Sequence, residues 1–106
     1  MRGANVPQLL PCSVGVVSRQ RRRVVITGHV QNVWFRDTCR SEALARDVAG
    51  WVRNRPDGGV EAVFEGLPEA VGKMISWCRT GPPRAKVAGV EVSDEPVRGE
   101  VGFVIR

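Results

Sequence analysis

The chain has few of the groups that usually announce chemistry. Its 106 residues include no Tyr, one His and only 6% aromatic residues. His29 has no His, Cys or carboxylate at ligand spacing, which excludes the usual zinc patterns and leaves no metal site expected. Cys12, Cys39 and Cys78 are odd in number and lack C-x-x-C spacing. That excludes a disulfide framework and points to free thiols in a reducing, cytoplasmic compartment. No apolar run approaches the roughly 20 residues needed to cross a bilayer, so no membrane partner is expected. The stretch Leu9-Leu10 is interrupted by Pro11 and no A-x-A site follows, which makes a poor signal peptide.

Acid is missing from one end. Residues 1–23 carry Arg2, Arg19, Arg21, Arg22 and Arg23 and no carboxylate, while residues 24–106 carry 11 basic and 11 acidic side chains. The formal charge of +5 therefore belongs to the N-terminal segment. A neutral body argues against a nucleic-acid partner, which needs a basic face. The cluster Arg19 to Arg23 reads as a solvated entry to a strand. Residues 1–18, with two prolines, two glycines and no clear periodicity, read as a flexible extension, and residues 19–106 as the domain.

What is present is a regular alternation of elements. Arg23 to Val30 is β-branched and apolar and reads as a first strand. Residues 31–35 form a turn, and a helix opens around Asp37, an acid suited to its first turn. Ala43, Leu44 and Val48 mark the helix's buried face, and Gly50 is expected to stop it. Trp51 to Arg55 is a second strand, joined through Pro56-Asp57-Gly58-Gly59 to a third, Val60 to Glu65. There Val60, Ala62 and Phe64 should be buried, with Glu61, Val63 and Glu65 on a wetter face. Pro68 suits the first turn of a second helix, with Leu67, Val71, Met74, Ile75 and Cys78 as its apolar stripe. Val87 to Val92 is a fourth strand. Val101, Phe103 and Ile105 alternate in a last one. Trp51 and Phe103 read as core aromatics, Trp34 as a rim or packing residue.

The order β-α-β-β-α-β with a short C-terminal strand is the split βαβ, or ferredoxin-like, α+β plan: two helices on one face of a mostly antiparallel sheet. In a right-handed crossover the first two strands are parallel, and the third can fit between them. The loop after the first strand and the end of the second then share one sheet edge. Arg36 and Asn54, eighteen positions apart, can converge there.

Those two positions carry the chemistry. Gln31 to Phe35 leads into a helix N-terminus, where successive N–H groups can form a nest for phosphate oxygens. Arg36 presents a planar, permanently charged fork matched to phosphate. Asn54 cannot act as a base near neutrality but can orient a water. Gln31 either touches substrate or fixes the loop through its own hydrogen bonds.

The stretch Gly28-His29-Val30-Gln31-Asn32-Val33-Trp34-Phe35-Arg36 resembles the first signature of the acylphosphatase family, G-x-V-Q-G-V-x-F-R. Gly50-Trp51-Val52-Arg53-Asn54, followed by the Asp57-Gly58 hairpin and Val60-Glu61, resembles its second. Gly81-Pro82-Pro83-Arg84-Ala85 and Gly102-Phe103-Val104-Ile105-Arg106 are similar to the family too. The resemblance implies a ferredoxin-like enzyme that hydrolyses small acyl phosphates to a carboxylate and inorganic phosphate, without metal or cofactor. It implies that Arg36 binds the phosphate and Asn54 positions the water. Backbone N–H groups of Gln31, Asn32, Val33, Trp34, Phe35 and Arg36 would complete the cradle. Phosphate or sulfate would act as product or mimic, and a monomer is expected. Asn32 departs from the pattern, which has glycine there; Asn is the most tolerant replacement if the position needs a positive φ.

Two other classes share the plan. RNA-binding modules stack bases on sheet aromatics, but the K/R-G-F/Y-G/A-F-V-x-F/Y strand is missing here. A non-catalytic phosphate or metabolite sensor would use the same cradle without turnover.

Overall fold

Seven elements follow one another in the expected order. They are β1 (Gln20–His29), α1 (Phe35–Ala45), β2 (Ala49–Asn54), β3 (Val60–Gly66), α2 (Pro68–Cys78), β4 (Lys86–Glu95) and β5 (Phe103–Ile105). This computed structural model describes residues 18–106. The extension expected over residues 1–18 lies, but for Ser18, outside the described residues, as does Cys12.

The sheet order is β4-β1-β3-β2-β5. β1 and β2 are both antiparallel to β3, hence parallel to each other, and β3 lies between them as expected. β4 pairs antiparallel with β1, and β5 pairs parallel with β2. The architecture is the ferredoxin-like one: two helices on an open, mostly antiparallel sheet. Val24, Ile26, Val52, Val60, Ala62 and Phe64 from the sheet meet Cys39, Ala43, Val71, Met74 and Cys78 from the helices in one core. Phe103 stacks on Phe64 at 5.9 Å between ring centroids, which seals the β5 end. Cys39 and Cys78 are free and buried. Burial pushes the Cys39 thiol up, and takes Cys78 to about 12, so neither is a nucleophile near neutrality. No helix among the described residues is long and apolar enough to cross a membrane.

Several expectations need correction. Gly50 does not stop α1. The helix ends at Ala45, the reversal comes at Asp47 with φ 57°, and Gly50 lies inside β2 at φ 138°. A Cβ there would sit 1.8 Å from the Val63 carbonyl oxygen. Close strand approach, not helix termination, demands the glycine. Leu44 and Leu67 are about half exposed rather than on buried faces, and Val48 is buried beyond the end of α1. Leu67 is the residue that caps α2, so it precedes the first turn that packs. Trp51 is only half-buried, on the face away from the helices, with the Arg106 guanidinium 4.6 Å over its ring. Val101 is 92% exposed and precedes β5.

The largest correction concerns the sheet face without helices. β3 is buried on both faces, Glu61, Val63 and Glu65 included. As the central strand it is flanked by arginines. Arg23 and Arg53 pair with Glu61, and Arg21 donates to Glu65 at 3.1 Å. The segment after β4 then closes over Glu65, whose carboxylate accepts N–H bonds from Arg98, Gly99 and Glu100 at 2.7–3.0 Å. The expected solvated entry Arg19 to Arg23 is corrected by the same contacts. Arg21 is 4% exposed, Arg22 pairs with Asp94, and Arg23 pairs with Glu61.

Candidate active site

The N-terminal side of the site starts with a bulge. The β1–β4 register shifts between Thr27 and Gly28. Gly28 has φ 119°, and a Cβ on it would lie 2.2 Å from the Lys86 carbonyl oxygen. The kink turns the chain out of β1 into the loop 30–34, where the backbone coils tightly. Asn32 (φ 60°) and Trp34 (φ 66°) are both left-handed. The sequence leaves room for a positive φ at Asn32; for the bulky Trp34 nothing in the sequence announces one. The alternation sorts the side chains. Val33 and Phe35 turn inward, at 3% and 2% exposed, while Trp34 stands 70% exposed at the rim. Phe35 is held by Trp77 of α2, 5.1 Å between ring centroids.

With Val33 and Phe35 anchored below, the loop presents its backbone. No N–H from Gln31 to Arg36 donates a hydrogen bond within the described residues, and the first helical donation is from Thr38 to the Trp34 carbonyl at 3.0 Å. These are the orphan donors of a helix N-terminus, where the dipole favours an anion. The Gln31 side chain makes loop-fixing hydrogen bonds. Its Nε2 donates to the Arg55 carbonyl at 2.8 Å and to the Gly59 carbonyl at 2.9 Å. Those carbonyls belong to the β2–β3 hairpin, itself closed by Arg55 N–H to the Gly59 carbonyl and by Asp57 accepting from the Gly59 N–H. Gln31 therefore ties the loop that ends in Arg36 to the hairpin that begins just after Asn54.

The consequence is one cavity, of about 500 Å3, shared by Asn32, Trp34, Phe35, Arg36, Asn54, Val30 and Ile105. Arg36, in the first turn of α1, and Asn54, the last residue of β2, come together as expected. Gln31 and Val33 stand beside the cavity rather than on its wall. Asp37 and Arg84 also line it and were not singled out as site residues. Arg84 lies in the link between α2 and β4, and its only signal was a stretch similar to the family. Arg36 and Arg84 take part in none of the ion pairs among the described residues. The cavity thus combines two uncompensated guanidinium groups, a run of unused N–H donors and an amide. That set can hold a tetrahedral anion and place a polar neighbour against it. No group of three or more His, Cys, Asp or Glu that could hold a metal ion occurs among the described residues.

Similarity to known proteins extends across nearly the whole fold. The sequence profile of the acylphosphatase family matches residues 22–105. An acylphosphatase of Rubrobacter xylanophilus is 53% identical over 88 residues, covering 82% of this chain and 80% of that protein. One of Pelotomaculum thermopropionicum is 51% identical over 90 residues, covering 84% and 98%. Among solved structures, an acylphosphatase from Coxiella burnetii superposes with a TM-score of 0.80 at 32% identity, covering 83% of this chain and 93% of that one. With the motifs, the topology and these matches spanning the same residues, the chain belongs to the acylphosphatase family, enzymes that hydrolyse acyl phosphates.

Proposed function

We propose that the cavity at the N-terminus of α1 is where this enzyme hydrolyses its acyl phosphate, with Arg36 and the loop N–H groups as phosphate clamp and Asn54 as water holder. The observation that carries this reading is the convergence of Arg36, Asn54 and the residues Asn32, Trp34 and Phe35, whose N–H groups are unused, on one cavity wall. The N–H groups of Gln31, Asn32, Val33, Trp34, Phe35 and Arg36 surround the phosphate oxygens. The Arg36 fork neutralises charge on the equatorial oxygens as the transition state forms. The Asn54 amide accepts a hydrogen bond from the attacking water and donates to the phosphate, which aligns the water with the scissile bond.

The bond-making is simple. The water oxygen attacks phosphorus, and the bond from phosphorus to the acyl oxygen breaks with its electron pair leaving on the carboxylate. Both protons of the water end on the released phosphate. The departing carboxylate has a conjugate-acid pKa of about 4, so it needs no general acid. Nor does it need a Lewis acid on the leaving oxygen, which supports a metal-independent reaction. Phosphate and sulfate fit the clamp as product and mimic. Two buried free thiols suit a reducing, cytoplasmic setting, and we read the working unit as a monomer.

The direct test is turnover of acetyl phosphate with a chelator present. Wild type keeps its rate in chelator, sulfate inhibits competitively, and Asn54→Ala lowers kcat by about 100-fold with KM little changed. Anion binding by folded protein without turnover would instead support the sensor class. A rate that vanishes in chelator would remove the metal-independent mechanism.

A further inference from the structure

The same cavity holds a second cation to which the reaction proposed above gives no role. Arg84 shares the wall with Arg36 and Asn54, and no carboxylate pairs with it among the described residues. Of the other described arginines, Arg21, Arg22, Arg23, Arg46, Arg53 and Arg55 have carboxylate partners, while Arg19, Arg40, Arg79, Arg98 and Arg106 make no ion pair; what sets Arg84 apart from those five is its place on the cavity wall. The one carboxylate on the cavity wall, Asp37, makes no ion pair with either guanidinium. A phosphate dianion needs only Arg36 and the loop N–H groups, which come from a single continuous segment. Arg84 comes from a different one, the link between α2 and β4, and is exposed. The cavity, about 500 Å3, is large enough for more than a phosphate. Ile105 and Trp34 add apolar surface to the same wall, suited to a short methylene chain.

We propose that Arg84 is a specificity residue that receives a second carboxylate on the acyl side of the substrate, so that the enzyme prefers monophosphates of short dicarboxylic acids. A guanidinium fork pairs a carboxylate bidentately and holds it better than it holds an uncharged chain end. This inference rests on the cavity being the hydrolytic site.

The test compares succinyl phosphate with butyryl phosphate, which have the same chain length and differ in a terminal carboxylate against a methyl group. The quantity read is the ratio of their kcat/KM values in wild type, Arg84→Gln, Arg84→Lys and Arg84→Glu. Wild type favours succinyl phosphate. Arg84→Gln lowers that ratio by about tenfold, the worth of one charge-assisted pair, and the loss falls on KM. Arg84→Lys retains part of the preference, and Arg84→Glu turns it against succinyl phosphate. Raised salt shrinks the wild-type ratio but not that of Arg84→Gln. An exposed side chain without partners is not needed for folding, and a thermal melt of each variant checks this. The inference is overturned if both substrates lose equally, which would put Arg84 on the shared phosphate, or if the ratio does not move. Failure of wild type to turn over either substrate is a different result: it removes the assignment of the cavity, and the preference with it.

Discussion

Arg21 and Arg36 are the same side chain in opposite settings. Arg21, 4% exposed, donates to Glu65, Glu95 and Glu100 at 3.0–3.1 Å, on the sheet face without helices. Arg36, half-buried at the other end of the crossover, makes no ion pair and lines a cavity. The fold has satisfied one guanidinium and left the other with unused donors. Charge alone therefore says little about an arginine's task. A cation whose partners lie within the chain holds the chain together, and one aimed into a cavity beside orphan N–H groups is kept for a ligand. The contrast predicts that removing the first costs stability and removing the second costs rate.

The largest effect belongs to Arg36. Arg36→Ala lowers kcat/KM for acetyl phosphate by about 10^3-fold or more, the scale set by lost transition-state charge stabilisation. Thermal unfolding should hardly move, because Arg36 makes no side-chain hydrogen bond or ion pair among the described residues. A variant that keeps near-normal turnover, or one that unfolds, would break the contrast at its catalytic end.

Arg21→Ala is the mirror experiment. It strands the fully buried Glu65 carboxylate, and breaking a buried pair from one side costs about 3–5 kcal/mol. Urea unfolding reads that loss, while kcat of the folded fraction stays close to wild type. Acid sharpens the same point. Burial by itself pushes the Glu65 carboxyl up, but the N–H groups of Arg98, Gly99 and Glu100 and the Arg21 guanidinium outweigh it and hold it below the ordinary range. For Glu61, burial is likewise outweighed by Arg53 and Arg23. Both carboxyls thus have lower folded than unfolded values. Their contribution is complete above the ordinary carboxylate range, about 4, and disappears as pH falls through the folded values. Wild-type stability should decline below about pH 4. The decline should be shallower in Arg21→Ala, where Glu65 is less depressed. An equal slope in both proteins would show that the pairing with Arg21 does not hold the Glu65 value down.

The two regions differed in how far the sequence disclosed them. The site was legible because its parts lie in two short segments and the crossover rule brings those segments together. The crossover rule puts Arg36, Asn54 and the loop between β1 and α1 at one edge, and the resemblance to the family signatures is what singles them out there. The paired face was not legible. Alternation along Val60 to Glu65 describes one strand against one helix layer, and it cannot show that arginines from both neighbouring strands and the 98–100 segment will cover the opposite side. Gly50 failed for a related reason. A glycine after an apparent helix reads as a stop, but its need comes from Val63, a residue on another strand. Arg84 was missed because the family-like stretch Gly81 to Ala85 marks a link between elements and says nothing of which cavity an exposed arginine in it will line. Only the folded chain brings it to the same cavity as Arg36.

The smallest effect tests the loop that separates the two outcomes for Arg36. Asn32 stands where the family signature has glycine, and its φ of 60° is the left-handed conformation that glycine adopts freely and Asn tolerates. Asn32→Gly therefore relieves a modest backbone cost in the folded state and loosens the unfolded chain, effects of a few tenths to about 1 kcal/mol that oppose each other. Asn32 lines the cavity, so removing its side chain should also open the approach to the N–H donors. Turnover should be kept or raised by up to about threefold, and the melting temperature should shift by no more than a few degrees. Asn32→Val, by contrast, forces a β-branched residue into the same φ and should lower both stability and rate. A large loss in Asn32→Gly would mean that the amide itself belongs to the phosphate cradle, a donor the backbone alone does not supply.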